Sequence, residues 1–239
     1  MTAIVTERVD PPSPEFIAPL WHTGLLVAIF VGLALSGALF QRHAGVDPGM
    51  LQQHSNMVPL YLSLLAMEWG LFMYVRKGVL LTGHSLRELV GGRWASARDV
   101  IVDIGLAFAI WGLWSLIQVG WSRWSGPSNA ASIQVLLPRG AVEAALWIAV
   151  SVSAGICEEL AFRGYFQRQF SVLAGSRWTA LFVQAVLFGV SHGYQGVEAC
   201  AKIALFGVLF GVLALWRGSL RPGMLAHAWG DIASGIFGI

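Results

Sequence analysis

The feature that most constrains this chain is the repetition of apolar runs of membrane-spanning length. Runs at 18–40, 57–75, 100–121, 141–162, 178–197, 199–216 and 219–237 approach the ~20 residues that a helix needs to cross ~30 Å of hydrocarbon. Backbone N–H and C=O groups in hydrocarbon must be satisfied internally, so the runs are read as helices. Composition agrees, because only 12% of the 239 residues are charged against about 25% in an average soluble domain. The sequence therefore predicts an all-α polytopic membrane protein with about seven transmembrane helices. An eighth, or a re-entrant piece, fits only in 122–139, where SGPSN and Pro138 interrupt a partly apolar stretch. Residues 1–17 are polar, acidic and proline-broken and read as a disordered cytoplasmic tail. The remainder divides into N-terminal transmembrane helices over 18–137 and a C-terminal transmembrane core over 138–239.

Basic residues set the expected orientation, because cytoplasmic loops retain Lys and Arg. With seven spans and an inside N-terminus, one side carries Arg8, Arg76, Lys77, Arg87, Arg93, Arg98, Arg163, Arg168, Arg177, Arg217 and Arg221. The other carries Arg42, Arg123, Arg139 and Lys202. The richer side is expected to be cytoplasmic, which suits a cell (inner) membrane protein. Ser85–Ala97 puts Leu86, Leu89, Val90 and Trp94 around one helical face, as an amphipathic helix on the cytoplasmic surface would. Tryptophans near span ends fit an interfacial belt, and the Gly207/Gly211 GxxxG pair is expected to pack helices closely within the chain. Cys157 and Cys200 lie inside apolar runs and supply neither a disulfide framework nor a Cys-rich metal site. A dispersed net charge of +2 with no basic cluster excludes nucleic acid as a partner.

Ionisable groups inside spans are costly and point to function. The last hundred residues hold Glu158, Glu159 and Arg163 in AGICEELAFRGYF, His192 in LFGVSHGYQG, and His227 with Asp231 in LAHAWGDIAS. Glu159 and Arg163 are four apart and can pair along one helix face. Glu158 lies about 100° around from Glu159 and is the candidate base. His227 and Asp231 again share a face. If helices four and five form a hairpin turning near Ala174–Gly175, Glu159 lies 15 residues before the turn and His192 lies 18 after Ala174. At ~1.5 Å per residue their levels differ by only about 4.5 Å. These groups are therefore expected to line one buried polar cavity, opening toward the Arg-rich side, with Phe162 and Phe188 near its wall. The hairpin is expected to project some two turns past the Arg217–Arg221 turn. Ser191 adjoins His192, but consecutive helical residues do not face one another. Glu68 and Asp103 read as buried structural groups, and Glu143 as an interfacial one.

The ordered motifs Glu158-Glu159-Leu-Ala-Phe-Arg163, Phe188-Gly-Val-Ser-His192 and His227-Ala-Trp-Gly-Asp231 resemble the EExxxR, FxxxH and HxxxN/D pattern of the CPBP family. That family comprises CaaX prenyl endopeptidases and bacteriocin-processing or Abi intramembrane proteases. The resemblance covers roughly residues 138–237. It implies an endopeptidase acting on a membrane-tethered protein or peptide. Glu158 would activate water, with Glu159 and Arg163 in support. His192 would position the water or the carboxylate, and His227 with Asp231 would stabilise the oxyanion. Water-excluded donors aimed at such developing charge are worth about 2.7–4 kcal/mol each. An ionised aspartate cannot donate to an oxyanion, so Asp231 departs from the asparagine form of the pattern; it would be protonated, orient His227, or help bind a metal. The family is often described as metalloproteases, and a zinc site with an open position would draw on Glu158, His192 and His227. No HExxH is present, and metal-free catalysis without a cofactor is the favoured expectation. A non-catalytic immunity or scaffold protein that binds a peptide with the same fold is the alternative. A proton-coupled transporter would more often show matching halves with broken helices, and none is evident.

Overall fold

A computed structural model of the chain describes residues 15–44, 56–125 and 137–238. Most of the expected tail, Arg8, the Arg42 side chain and most of 122–139 lie outside these residues. The described chain is helical, without strands: α1 (Leu20–Ala44), α2 (Val58–Leu81), α3 (Leu86–Val90), α4 (Ala97–Ser125), α5 (Ala141–Glu159), a π-helical segment (Leu160–Phe166), α6 (Gln167–Ala174), α7 (Arg177–Ser191), a 3₁₀ turn (Gly193–Gln195), α8 (Val197–Arg217) and α9 (Arg221–Phe237). Five helices are long and apolar enough to cross a membrane: Leu20–Leu39, Val58–Leu81, Ala97–Ser125, Ala141–Ala174 and Val197–Arg217. α7 and α9 occupy the other two expected runs but have only 15 and 17 residues. The protein is thus an all-helical integral membrane protein.

Three boundaries differ from expectation. The chain is held in place before residue 18: Ile17 is buried, its N–H donates to Gln169 Oε1 (3.0 Å), and its carbonyl accepts from Thr82 Oγ1 (2.8 Å). α7 stops at Ser191, six residues before the end of its apolar run, and Gly196 at φ +90° redirects the chain into α8. Ser85–Ala97 is helical only over α3, capped by Ser85 and by Gly91 in the left-handed region. Leu89 is fully buried and packs in the main apolar cluster with Leu160, Phe162, Phe166 and Leu220. The Val90 carbonyl accepts from Leu220 N (3.1 Å), and Arg168 Nη2 donates to the Glu88 and Leu89 carbonyls (3.0 Å each). Gly91 is required here, because a Cβ would collide with the Gly218 and Ser219 backbone. The segment is a strap tied across the Arg-bearing helix ends. Trp94 is tied in with it, donating to Asp103 Oδ2 (2.7 Å) beneath Arg221.

Helix packing follows the small residues. Gly207 and Gly211 on α8 face Ala185 and Gln184 on α7, where an added Cβ would come within 3.0 Å of neighbouring atoms, so the GxxxG pair packs within the chain. α5 and α9 run antiparallel in direct backbone contact. Gly155 abuts the Met224 and Ala228 backbone, Gly223 faces Glu159, and Gly235 faces Trp147. α2 runs parallel to α5: Met57 N donates to Glu143 Oε1 (3.0 Å), and Tyr61 packs on Trp147 (5.8 Å between rings). Glu143 therefore ties the starts of two helices together instead of standing alone at the interface. Asp103 is a buried structural partner as expected, bonded to Arg217 Nε (2.8 Å).

Candidate active site

The hairpin turns where the spacing places it, with Gly175 at φ +62° between α6 and α7. What the periodicity does not predict is the π-helical turn of the first arm, which begins at Leu160, next to the two glutamates, and whose seven residues are all buried. Single π turns inside α-helices are frequent at functional sites. The wide turn holds Arg163 back over Glu159, with Nη1 3.1 Å from Oε1. This is the expected pair. It is also more deeply enclosed than a surface pair, with the two side chains 0% and 1% exposed.

A buried guanidinium needs more than one carboxylate. Arg163 Cζ lies 4.4 Å above the Phe188 ring and 5.7 Å from those of Phe206 and Phe210. Aromatic faces attract such a cation. Phe206 and Phe210 belong to none of the three motifs. Their i, i+4 spacing on α8 is the one sequence signal that marks them.

Glu159 holds a second partner. Its Oε1 is 3.1 Å from His227 Nδ1, and Gly223, one turn before His227, leaves room for the carboxylate: a Cβ there would come within 3.2 Å of Oε2. With Nδ1 so engaged, His227 turns Nε2 toward Glu158 Oε2 and Asp231 Oδ2, each 3.7 Å away. A hydrogen bond at one ring nitrogen sets what the other offers. The imidazole therefore stands between three carboxylates, two from the end of α5 and one from its own helix.

His192 caps α7 instead of lying inside a helix. Its Nδ1 is 2.9 Å from the Phe188 carbonyl and its ring packs on Phe188 (5.0 Å). His192 interacts electrostatically with His227, Asp231 and Arg163. Because the helix ends here, Ser191 does touch His192 (Oγ to Nδ1, 3.1 Å), contrary to the expectation for consecutive helical residues. Its hydroxyl donates to Phe188 O (2.7 Å), which leaves no serine–histidine nucleophile pair. Phe162 packs on Phe188 (4.7 Å) at the apolar wall.

The cluster has a closed and an open end. Arg163 and Glu159 are sealed, whereas the Asp231 side chain is 42% exposed. Along α9, Asp231 lies one turn farther from Arg221 than His227 does. The accessible end therefore faces away from the Arg-bearing helix ends, the reverse of the expected direction. The strap is the physical reason: Leu89 and Leu220 both close on Gly164. α6 continues ten residues beyond Gly164 to Ala174, so the hairpin projects past the Arg217–Arg221 turn somewhat further than expected.

Glu68 is buried, as expected, and its carboxyl interacts electrostatically with Glu158, His227 and Asp231. For zinc held by Glu158, His192 and His227, both Nδ1 atoms are engaged within the protein, which leaves only the two Nε2 atoms as possible imidazole ligands, and among the described residues no group of three His, Cys, Asp or Glu side chains is placed to hold a metal.

No curated protein and no solved structure matches the chain. Residues 140–233 match the family of type II CAAX prenyl endopeptidases described as Rce1-like. The matched segment begins one residue before α5, ends inside α9, and contains all seven defining residues of the three motifs. Over these residues the chain is similar to that family of proteases.

Proposed function

We propose that the protein is an intramembrane endopeptidase that hydrolyses a peptide bond in a membrane-associated protein or peptide, of the CaaX or bacteriocin-precursor kind, with water activated by Glu158. The observation that carries this reading is the aim of His227. Glu159 holds Nδ1, which leaves Nε2 facing Glu158 and Asp231 across 3.7 Å. A water or carbonyl oxygen between them would meet a base on one side and, with His227 carrying both ring protons among the three carboxylates, an Nε2–H donor on the other. Glu158 takes a proton from water as its oxygen attacks the carbonyl carbon. His227, with His192 beside it, donates to the oxyanion, and Glu158 returns the proton to the amine as the C–N bond breaks. General acid–base help of this kind contributes about 10²–10⁴-fold. Arg163 and Asp231 act on Glu159 and His227, and no step runs through a metal or cofactor.

All seven apolar segments would cross the membrane, the N-terminus lying on the cytoplasmic side of a cell membrane. A reporter fused after Arg177 is then cytoplasmic, and external labelling of a cysteine placed at residue 175 would reverse the orientation. The chemistry is tested with detergent-purified protein and a library of tethered peptides. Cleavage by the wild type and none by Glu158→Gln supports the reading. Wild-type turnover by Glu158→Gln overturns the glutamate mechanism, and loss of activity together with bound zinc would replace it with a metal one. Binding of the peptides without cleavage would favour the scaffold alternative.

A further inference from the structure

Glu68 stands on α2, outside the matched segment and outside the three motifs, yet it is the acid that the packing brings to Glu158. Register places it there. Met57 meets Glu143 and Tyr61 meets Trp147, both at an offset of 86 residues between parallel helices. Carried forward, that offset sets Glu68 opposite Ala154, one turn before Glu158. One turn is about 5.4 Å, and the two carboxyls interact across it. Tyr61, Glu68 and Val75 form the buried stripe of α2, spaced seven apart. Glu68 is 94% buried, since only 6% of its surface is exposed.

The two carboxyls have a shared deficit. Glu68 Oε2 and Glu158 Oε2 are both buried without a hydrogen-bond partner among the described residues. Cys157 and Tyr194 each interact electrostatically with both acids. Buried polar atoms are ordinarily satisfied. Two facing carboxyls satisfy each other only when one carries a proton and donates it to the other.

We infer that Glu68 is a positioning residue for Glu158, hydrogen-bonding its carboxyl from α2 and fixing the orientation from which Glu158 addresses water. The inference rests on the endopeptidase reading, and the experiment separates the two. In the full-length protein, Glu68→Gln keeps a donor at the same place and Glu68→Met removes it at similar size. Misplacing a catalytic group by about 1 Å can cost about 10²-fold. Glu68→Met should lose that much in kcat with KM unchanged and thermal unfolding near wild type. Glu68→Gln should stay within a few-fold of wild type. Full kcat in Glu68→Met, or a Glu68→Gln variant as slow as Glu68→Met, overturns the inference. Wild-type turnover by Glu158→Gln overturns the endopeptidase reading instead. A readout independent of activity is the infrared carbonyl band of a protonated carboxyl. It should vanish in Glu68→Gln and shift in Glu158→Gln, and a band that neither variant changes also overturns the inference.

Discussion

The α5–α9 pair and the α4 helix use glycine in opposite ways. Half of the membrane-length window containing α5 is buried, against 11% for that of α4. On α5 and α9, Gly155, Gly223 and Gly235 sit where a Cβ would strike the facing helix. On α4, Gly105, Gly112 and Gly120 face open space. In hydrocarbon, apolar burial does not drive helices together, so close backbone approach and polar contacts do. The EExxxR and HxxxD motif residues lie where the protein has both. α4 packs instead by side chains, through Ala107, Trp111 and Trp114 against α8 and α9, and adds Asp103 at its Arg-bearing end.

Breaking that contrast should give effects of graded size. The largest expected effect is on turnover: Glu158→Gln should lower kcat by about 10²–10⁴-fold, measured by peptide cleavage, with helical content and unfolding temperature unchanged. Next is Arg163→Met, which leaves the buried Glu159 carboxylate without its cation. Breaking a buried pair costs about 3–5 kcal/mol, to be read from denaturant unfolding in detergent. A variant as stable as wild type would show that the aromatic rings and His227 suffice for Glu159.

Gly155→Ala tests the backbone contact itself. The added methyl would lie 2.8 Å from Ala228 N and Met224 O, and overpacking of this kind costs about 1–3 kcal/mol. Gly105→Ala, in open space on α4, should be neutral or stabilising, since alanine is favoured over glycine in helices by about 1 kcal/mol. Equal effects at the two positions would erase the contrast. Asp231→Asn, at the open end, should lower kcat only a few-fold, because asparagine keeps the side chain's size beside His227. The smallest effect belongs to Glu88 in the strap. Hydrogen bonds from Ser85 and His84 hold its carboxyl below its ordinary value of 4.5. Its contribution is present above the unfolded pKa and is lost as pH falls through the lower folded one. Glu88→Gln should therefore remove a slight acid-side step in stability, and NMR titration of Glu88 should show the lowered midpoint.

Much of the site was legible in the sequence because it rests on local spacing. Glu159 and Arg163, and His227 and Asp231, are i, i+4 pairs, and such pairs lie on one face of a helix whatever surrounds it. The turn at Gly175 was equally legible, since a polar stretch with glycine separates two apolar runs. The cage around Arg163 was not, because Phe206 and Phe210 read as two more apolar residues on a membrane helix. Ser85–Ala97 carries the pattern of a surface helix. It became a strap because Leu89 found a protein interior to enter and Gly91 a backbone to lie against.

The sequence by itself determined the apolar segments, their approximate ends and the order of the three motifs, since hydropathy and helical period act over a few residues at a time. Tertiary structure alone decided three further things. It put a π turn beside the glutamates, opened the cluster away from the Arg-bearing ends, and brought Glu68 to Glu158. Each depends on which helix lies beside which and at what register. That is settled by contacts between residues as far apart as Glu68 and Glu158, or Leu89 and Leu220, which no local pattern encodes.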